Sequence, residues 1–280
     1  MSTAINTNVA AMQARDALKV NGRAMERAMK QLSTGQRVNS ASDDAAGLAI
    51  STSLSTQARS LMMAVRNAND AISLAQTAEG ALIEVSNMLQ RMRELAVQAS
   101  SDTLNTAQRK YLYNEAAALG DQINLTISDT KWNGTAVLTT ANLHTKGFTI
   151  QIGDSAGNEF VVKGADLTNA GKTATLAAGN ADWDTQAKAS ASITTINTGF
   201  TAVNDARAAL GAATNRLTSI VDNLTNVAQN LVESRSRVMD TDYAAATTEL
   251  ARTQIIQQAG MAVLAQANQQ PQSVLALLRS

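Results

Sequence analysis

Residues 54–96 read LSTQARSLMMAVRNANDAISLAQTAEGALIEVSNMLQRMRELA and carry an apolar side chain at every seventh position. The series consists of Leu54, Leu61, Ala68, Ala75, Leu82, Leu89 and Ala96. A sustained seven-residue apolar repeat predicts a long helix that buries one face against other helices. A second apolar row shifts gradually around this helix, which is typical of nearly straight bundled helices.

The second half of the chain carries a matching repeat. Its members are Ile196, Val203, Leu210, Leu217, Leu224, Leu231 and Val238. We expect long helices from about Asp44 to Ser100 and from about Ala189 to Val238, each about 70–80 Å long at about 1.5 Å per residue. The sequence therefore predicts a mainly α fold, with long antiparallel helical bundle or coiled-coil rods from both halves of the chain.

Shorter elements flank these rods. Helices are predicted at about 5–32, 106–128 and 242–270, with Ser42 or Asp43 capping the first rod and Asp242 capping the last helix. Pro271, the single proline, is expected to kink or end that last helix. Alternating apolar residues predict a β-hairpin between 148–152 and 159–162, and Asn133-Gly134 predicts a tight turn. Residues 163–188 are expected to form a short, variable, exposed excursion.

Composition excludes several kinds of site. The 280 residues carry 23 basic and 23 acidic side chains, no cysteine and a single histidine, His144. Net charge therefore gives no support for nucleic-acid binding, and disulfides, thiolate chemistry and histidine-cluster metal sites are excluded. No apolar run is long enough for a membrane span, and residues 1–9 lack the features of a cleaved signal peptide. No cofactor is implied.

Two acidic pairs, Asp43/Asp44 and Asp240/Asp242, have two interpretations. They suit acid–base chemistry or a cation, but they also suit the capping of the helices that follow them. No histidine, lysine or cysteine lies near either pair in sequence, so we favour capping. The ten methionines are interpreted mainly as core filler, with adaptable interface contacts as the alternative.

Several motifs resemble those of bacterial flagellins. They are INTN at 5–8, LSTG at 32–35, RVNSASDDAAG at 37–47, QRMRELAVQ at 90–98 and LAQANQQP at 264–271. The resemblance covers about 1–138 and 191–280. The middle of the chain carries no family motif. Flagellins often have a large variable outer domain there, whereas this chain has room for only a small insertion.

The resemblance implies a subunit of the flagellar filament, a homopolymer used for motility. It also implies export in the unfolded state through the flagellar type III pathway and an extracellular location. Implied partners are further copies of the chain, the flagellar cap, hook-associated proteins and an export chaperone at the C-terminal segment. The implied domains are an N-terminal inner-tube helix at 1–42, a rod with the hairpin at 43–162, an outer excursion at 163–188, a rod at 189–238 and a C-terminal inner-tube helix at 239–280.

The terminal helices carry modest apolar stripes. On the first, Leu18, Met25 and Leu32 lie seven residues apart, with Ala14 and Met29 on the same face. These stripes bury too little surface to offset the entropy of ordering, so we expect both helices to become ordered on assembly. The alternative is a helix pair docked within one chain. The residues assigned to inner-tube assembly are Ile5, Leu18, Met25, Leu32, Ile256, Val263, Leu275 and Leu278.

Arg91, Leu95 and Glu115 match flagellin positions that contact toll-like receptor 5. The resemblance implies that the same surface is used between subunits, whereas charge pattern alone indicates a solvated ion pair of little energetic value. The alternative functions are a hook–filament junction protein or a non-polymerising coiled-coil binding protein. An enzyme is disfavoured, because no set of nucleophile, base and orienting group is present.

Overall fold

The computed structural model describes residues 7–139, 141–164 and 183–277. These residues form five α-helices: α1 (Val9–Thr34), α2 (Ala45–Ala99), α3 (Thr106–Asp129), α4 (Gln186–Met239) and α5 (Tyr243–Leu277). Four short strands are present in the same residues, together with one π-helical turn at Ala141–Lys146. The predicted mainly α fold with a small β region is confirmed.

Two compact units make up the chain. The first combines Met1–Thr56 with Asn230–Ser280, and the second is Gln57–Gln229. The long helices α2 and α4 each contribute residues to both units, whereas α1 and α5 belong wholly to the first.

The second unit has a single hydrophobic core shared by α2, α3 and α4. Both predicted seven-residue repeats supply it: Leu82 and Leu89 of α2 are fully buried, as are Ile196 and Leu217 of α4. Ile123 from α3 joins them. Full burial of a Leu or Ile side chain contributes about 1.5–3 kcal/mol, so this seam dominates the stability of the unit.

Asp44 begins α2, because its carboxylate accepts a hydrogen bond from the Gly47 backbone N–H at 2.8 Å. The prediction that Ser42 or Asp43 caps this helix is therefore wrong. Asp43 instead closes the preceding turn by accepting from the Ser40 hydroxyl at 2.9 Å and from the Ser40 backbone N–H at 3.0 Å. Hydrogen bonding, first of all from the Ser40 side chain, lowers the pKa of Asp43 below its ordinary value.

Asp242 caps α5 as predicted. Its carboxylate accepts from the Ala244 backbone N–H at 2.9 Å and from that of Ala245 at 3.2 Å. At its other end, α5 continues through Pro271 to Leu277, so of the predicted kink or end at Pro271 the end is wrong. A proline removes a single intrahelical donor, and the alanines, glutamines and leucines around it are strong helix formers.

The two predicted turns both join antiparallel strands. Strand β1 (Lys131–Trp132) pairs with β2 (Thr135–Ala136) across Asn133-Gly134. Both turn residues have positive φ, 48° and 80°, as a type I′ turn requires. Strand β3 (Phe148–Gln151) pairs with β4 (Glu159–Val162), placing Phe148 opposite Val162.

The predicted excursion at 163–188 is described only at its two ends. Residues 165–182 lie outside the described residues. Trp183 is 1% exposed, its indole N–H donates to the Ser192 hydroxyl at 2.9 Å, and its ring meets Tyr113 edge-on at 5.9 Å. The C-terminal end of this segment therefore belongs to the core of the second unit, and α4 begins three residues earlier than predicted.

Candidate functional site

In the first unit, α1 and α5 run antiparallel and are joined by two amide hydrogen bonds. The Asn8 side chain donates to the Ala267 carbonyl at 2.8 Å, and the Asn21 side chain donates to the Thr253 carbonyl at 2.7 Å. Asn8 also caps α1 by accepting from the Ala11 backbone N–H at 3.0 Å. These bonds fix the register of the two helices.

The seam between α1 and α5 is lined mainly by small side chains. Its buried and half-buried positions are Ala11, Ala14, Leu18, Asn21, Met25, Ala28 and Leu32 on α1, and Ala246, Leu250, Thr253, Gly260, Leu264 and Ala267 on α5. A Cβ atom at Gly260 would lie 2.6 Å from the Leu18 side chain, so the helices approach closely there. Leu18, Met25 and Leu32 thus occupy the intrachain seam, half-buried.

Arg37 joins the two hinges that flank this helix pair. Its backbone N–H donates to the Met239 carbonyl and its guanidinium to the Val238 carbonyl, both at 2.7 Å. The guanidinium also lies 3.6 Å from Asp44. Gly35, with φ of 70°, accepts from the Thr241 backbone N–H at 3.0 Å. Pattern analysis missed Arg37, because its partners are carbonyls about 200 residues away.

A set of apolar side chains on α1 and α5 faces solvent. On α5, Ile256 is 41% and Val263 57% exposed, and Ala259 shares their face. The remaining members are Val9, Met12, Val20 and Met29 on α1, and Ile255 and Met261 on α5. We call these nine residues the outer apolar set. At about 100° per residue these side chains point in several directions around the two helices, so they suit contacts with more than one neighbouring molecule.

Met29 is 54% exposed, so its predicted place in the apolar stripe with Leu18 is wrong. The neighbouring Ala28, three residues after Met25, is 2% exposed and takes the seam position, which leaves Met29 at the edge of the seam. Ile5 and Leu278, together with the side chain of Leu275, lie outside the described residues, so their assignment stays a prediction.

A second candidate surface lies on α2 and α3 in the second unit. The Arg91 guanidinium donates two hydrogen bonds to one carboxylate oxygen of Glu115, at 2.8 and 3.0 Å. It also donates to Glu94 at 3.4 Å. The hydrogen bonds to Glu115 are the largest cause of the raised pKa of Arg91.

Leu95 does not lie on this surface. It is 2% exposed and belongs to the hydrophobic core, so the prediction that it shares an exposed patch with Arg91 and Glu115 is wrong for the single chain. Leu95 follows Met92 by three residues and Met92 is fully buried, so the wide apolar stripe of α2 includes both. Beside Arg91, a groove of about 430 Å³ is lined by Gln90, Arg93, Glu94, Val97 and Gln98.

The described ranges hold no cluster of three histidine, cysteine, aspartate or glutamate side chains placed to bind a metal ion. Over the same ranges, no helix combines the length and apolarity needed to cross a membrane. The two surfaces above, an apolar one and a charged one, are therefore the candidate sites, and both suit contact with other macromolecules.

Comparison with known proteins matches both the N-terminal and the C-terminal part of the chain to one family. Residues 5–142 match the bacterial flagellin N-terminal helical region, and residues 193–278 match the bacterial flagellin C-terminal helical region. A flagellin of Halalkalibacterium halodurans is 43% identical over 276 residues, which are 98% of this chain and 99% of that protein.

Flagellin B of Vibrio cholerae is 44% identical over 162 residues, covering 58% of this chain and 42% of that protein. The chain therefore spans less than half the length of that relative. A solved structure described as a putative flagellar hook-associated protein from Vibrio parahaemolyticus covers 71% of this chain and all of its own, with a TM-score of 0.56. At 14% identity, that likeness is one of fold alone.

Proposed function

Because the chain belongs to the bacterial flagellin family, we propose that it is a structural subunit that polymerises into the helical filament of the flagellum and serves motility. The observation that carries this proposal is the near full-length similarity to a flagellin of almost equal length. Successive subunits of such a polymer contact each other through unlike surfaces. Where the rotation from one subunit to the next does not close a ring, the result is an open helical polymer. We propose no enzymatic activity, since the family is structural.

The outer apolar set of α1 and α5 is the proposed contact surface of the inner tube. The seam between the two helices already uses Leu18 and Gly260, so Ile256 and Val263 remain free to pack against neighbouring copies. Each apolar side chain of this size contributes up to about 1.5–3 kcal/mol when fully buried. Because the same contacts recur at every subunit around the filament axis, these contributions add up along the filament.

The helix pair is proposed to be marginal in a single chain and rigid in the filament. Six of its thirteen seam positions are alanine or glycine, which bury little area for each ordered residue, and its leucines and Met25 are only half-buried. The pair must order 26 residues of α1 and 35 of α5. Assembly supplies the missing burial. The two helices can therefore dock within one chain and still become rigid only on assembly.

Arg91 and Glu115 are proposed to contribute to subunit contacts and to a surface competent to bind toll-like receptor 5. Support comes from the exposed, hydrogen-bonded geometry of the pair and from its match to the family motif. Leu95 contributes to this surface indirectly: it packs in the hydrophobic core and so holds in place the part of α2 that carries Arg91.

Export through the flagellar type III pathway and an extracellular location are proposed from family membership. Passage in an unfolded state suits a chain without cysteine. An export chaperone at the C-terminal segment would shield exposed apolar residues of α5, such as Ile255, before assembly. Cap and hook-associated proteins are the further proposed partners.

A hook–filament junction protein remains the second candidate, favoured by the fold similarity to the hook-associated structure. Such a protein would not form long filaments by itself. Sedimentation and electron microscopy of the full-length protein, seeded with filament fragments, separate the two functions. Long fibres support the filament subunit, and a lack of growth at high concentration supports the junction protein.

A matched pair of variants tests the contact surface in the same experiment. Ile256 and Val161 are both 41% exposed, the first in the outer apolar set and the second on strand β4. We expect Ile256→Glu to abolish seeded growth, because it buries an unpaired charge in the contact. We expect Val161→Glu to grow normally. Normal growth of Ile256→Glu would remove α5 from the proposed surface.

A further inference from the structure

All the sulfur atoms of this chain belong to its ten methionines, because it has no cysteine. Peroxides oxidise the methionine thioether to a sulfoxide, which is polar and chiral. Five methionines are well exposed in the described residues: Met12 at 58%, Met29 at 54%, Met62 at 51%, Met63 at 47% and Met261 at 58%. Met92, in contrast, is fully buried.

The exposed methionines fall into two groups. Met12 and Met29 on α1 and Met261 on α5 belong to the outer apolar set of the first unit. Met62 and Met63 lie on α2 in the second unit. The chain thus offers an internal comparison between oxidisable side chains on the proposed contact surface and others of nearly equal exposure elsewhere.

We propose that Met12, Met29 and Met261 form an oxidation-sensitive set, and that their conversion to sulfoxides by hydrogen peroxide prevents assembly. This inference rests on the proposed function, since it requires α1 and α5 to carry the contact surface. It applies to the unassembled chain, in which these thioethers face solvent.

The chemical step needs only the peroxide. The thioether sulfur attacks one peroxide oxygen, an S–O bond forms and the O–O bond breaks. The proton of the transferred oxygen moves to the departing oxygen, which leaves as water. Sulfur loses two electrons and the peroxide gains them, so no further reactant is required.

The expected consequence follows from the polarity of the new group. Each sulfoxide oxygen is a strong hydrogen-bond acceptor. The Val, Ile and Ala members of the outer apolar set offer it no side-chain donor, and beside Met261 the available donors are the side chains of Gln254, Gln257 and Gln258. Burying such a group without a partner is unfavourable, so we expect the critical concentration for assembly to rise about tenfold or more.

The experiment uses full-length protein treated with hydrogen peroxide before seeded assembly, with oxidation mapped by peptide mass spectrometry. We expect Met12, Met29 and Met261 to be oxidised well before Met92. The variant Met12→Leu/Met29→Leu/Met261→Leu keeps side-chain volume and should assemble equally well with or without peroxide. The control variant Met62→Leu/Met63→Leu should remain peroxide-sensitive. Treatment of the oxidised wild type with methionine sulfoxide reductases should restore growth.

Several outcomes would overturn the inference. Unchanged assembly of fully oxidised wild type contradicts it, as does equal inhibition of the triple leucine variant. If peroxide does not inhibit assembly of the Met62→Leu/Met63→Leu control, the sensitive methionines lie in the second unit, which also contradicts the inference. Failure of every untreated protein to assemble refutes the proposed function itself, and the oxidation-sensitive set with it.

Discussion

Asn21 of α1 donates its side-chain amide to the backbone carbonyl of Thr253 on α5, across the centre of the terminal helix pair, at 2.7 Å. Asn21 is 9% exposed and Thr253 1%. A buried polar bond in a mainly apolar seam fixes register, because any sliding of the helices leaves a buried amide unpaired.

Replacing Asn21 with Ala should weaken the filament more than the free chain. Loss of one intramolecular hydrogen bond costs about 1 kcal/mol, or about a fivefold rise in the critical concentration for assembly. Sedimentation across a concentration series measures this rise. Asn69→Ala is the matched control, because the Asn69 side chain bonds only within its own helix, to the Val65 carbonyl at 3.0 Å. An equal effect from both variants would argue against a register role for Asn21.

Asp43 should make filament stability depend on pH. Its folded-state pKa is lowered, so its contribution is present above the unfolded value near 3.8 and is lost as pH falls through the lower folded value. Asp43→Asn should therefore lower the urea concentration at which filaments dissociate at pH 6, while the two proteins converge near the folded pKa. Asp70→Asn, at an exposed position of α2, serves as the control. Parallel curves for wild type and Asp43→Asn at every pH would contradict the assignment.

Arg91→Ala and Glu115→Ala should leave the fold almost unchanged. Exposed ion pairs contribute about 0.2–1 kcal/mol, so urea unfolding of the second unit should shift little. We expect both variants to lose assembly and receptor signalling several-fold, as measured by seeded growth and a cell reporter for toll-like receptor 5. Arg237→Ala breaks a comparable exposed pair with Glu233 on α4 and should retain both activities. Full activity of the Arg91 and Glu115 variants would reduce the pair to a solvated surface contact.

Arg109 should be critical for the turn between α2 and α3. Arg109 is 8% exposed, and its side chain donates to the Ala99 carbonyl at 3.0 Å and to the Ser101 carbonyl at 2.9 Å. Each hydrogen bond to a charged donor contributes about 1.5–3 kcal/mol, so Arg109→Ala should lower the free energy of unfolding by about 3 kcal/mol or more. Arg109→Lys should recover only part of this, because an ammonium lacks the planar fork of donors. Urea unfolding followed by circular dichroism measures both, and an unaffected Arg109→Ala would contradict the interpretation.

Periodic features of the fold were predictable from sequence, and long-range polar contacts were not. The repeats through Leu82 and Leu210, the hairpin turn at Asn133-Gly134 and the Asp242 cap are local patterns, each set by neighbouring residues. Arg37 binds a backbone carbonyl about 200 residues away, and Arg109 binds carbonyls eight and ten residues back across the turn between α2 and α3. No sequence period records either contact.

The remaining errors concern single residues. Leu95 lies among charged residues, but it follows the buried Met92 by three residues and shares its apolar stripe, whereas Arg91 is exposed. Trp183 follows a segment rich in small and polar residues, so its burial against Tyr113 depends on a distant helix. Asp44 and Asp43 are adjacent and chemically equivalent, and backbone geometry alone decides which one caps α2.

Hydrogen exchange of α1 and α5, compared between dilute monomer and filament, tests the central claim most directly. We predict that amides of both helices exchange quickly in the monomer, while those around Leu82 and Leu210 are protected, and that assembly slows exchange in α1 and α5 by orders of magnitude. Equal protection of the terminal helices and the second-unit core in the dilute monomer would contradict the claim that neighbouring copies order them.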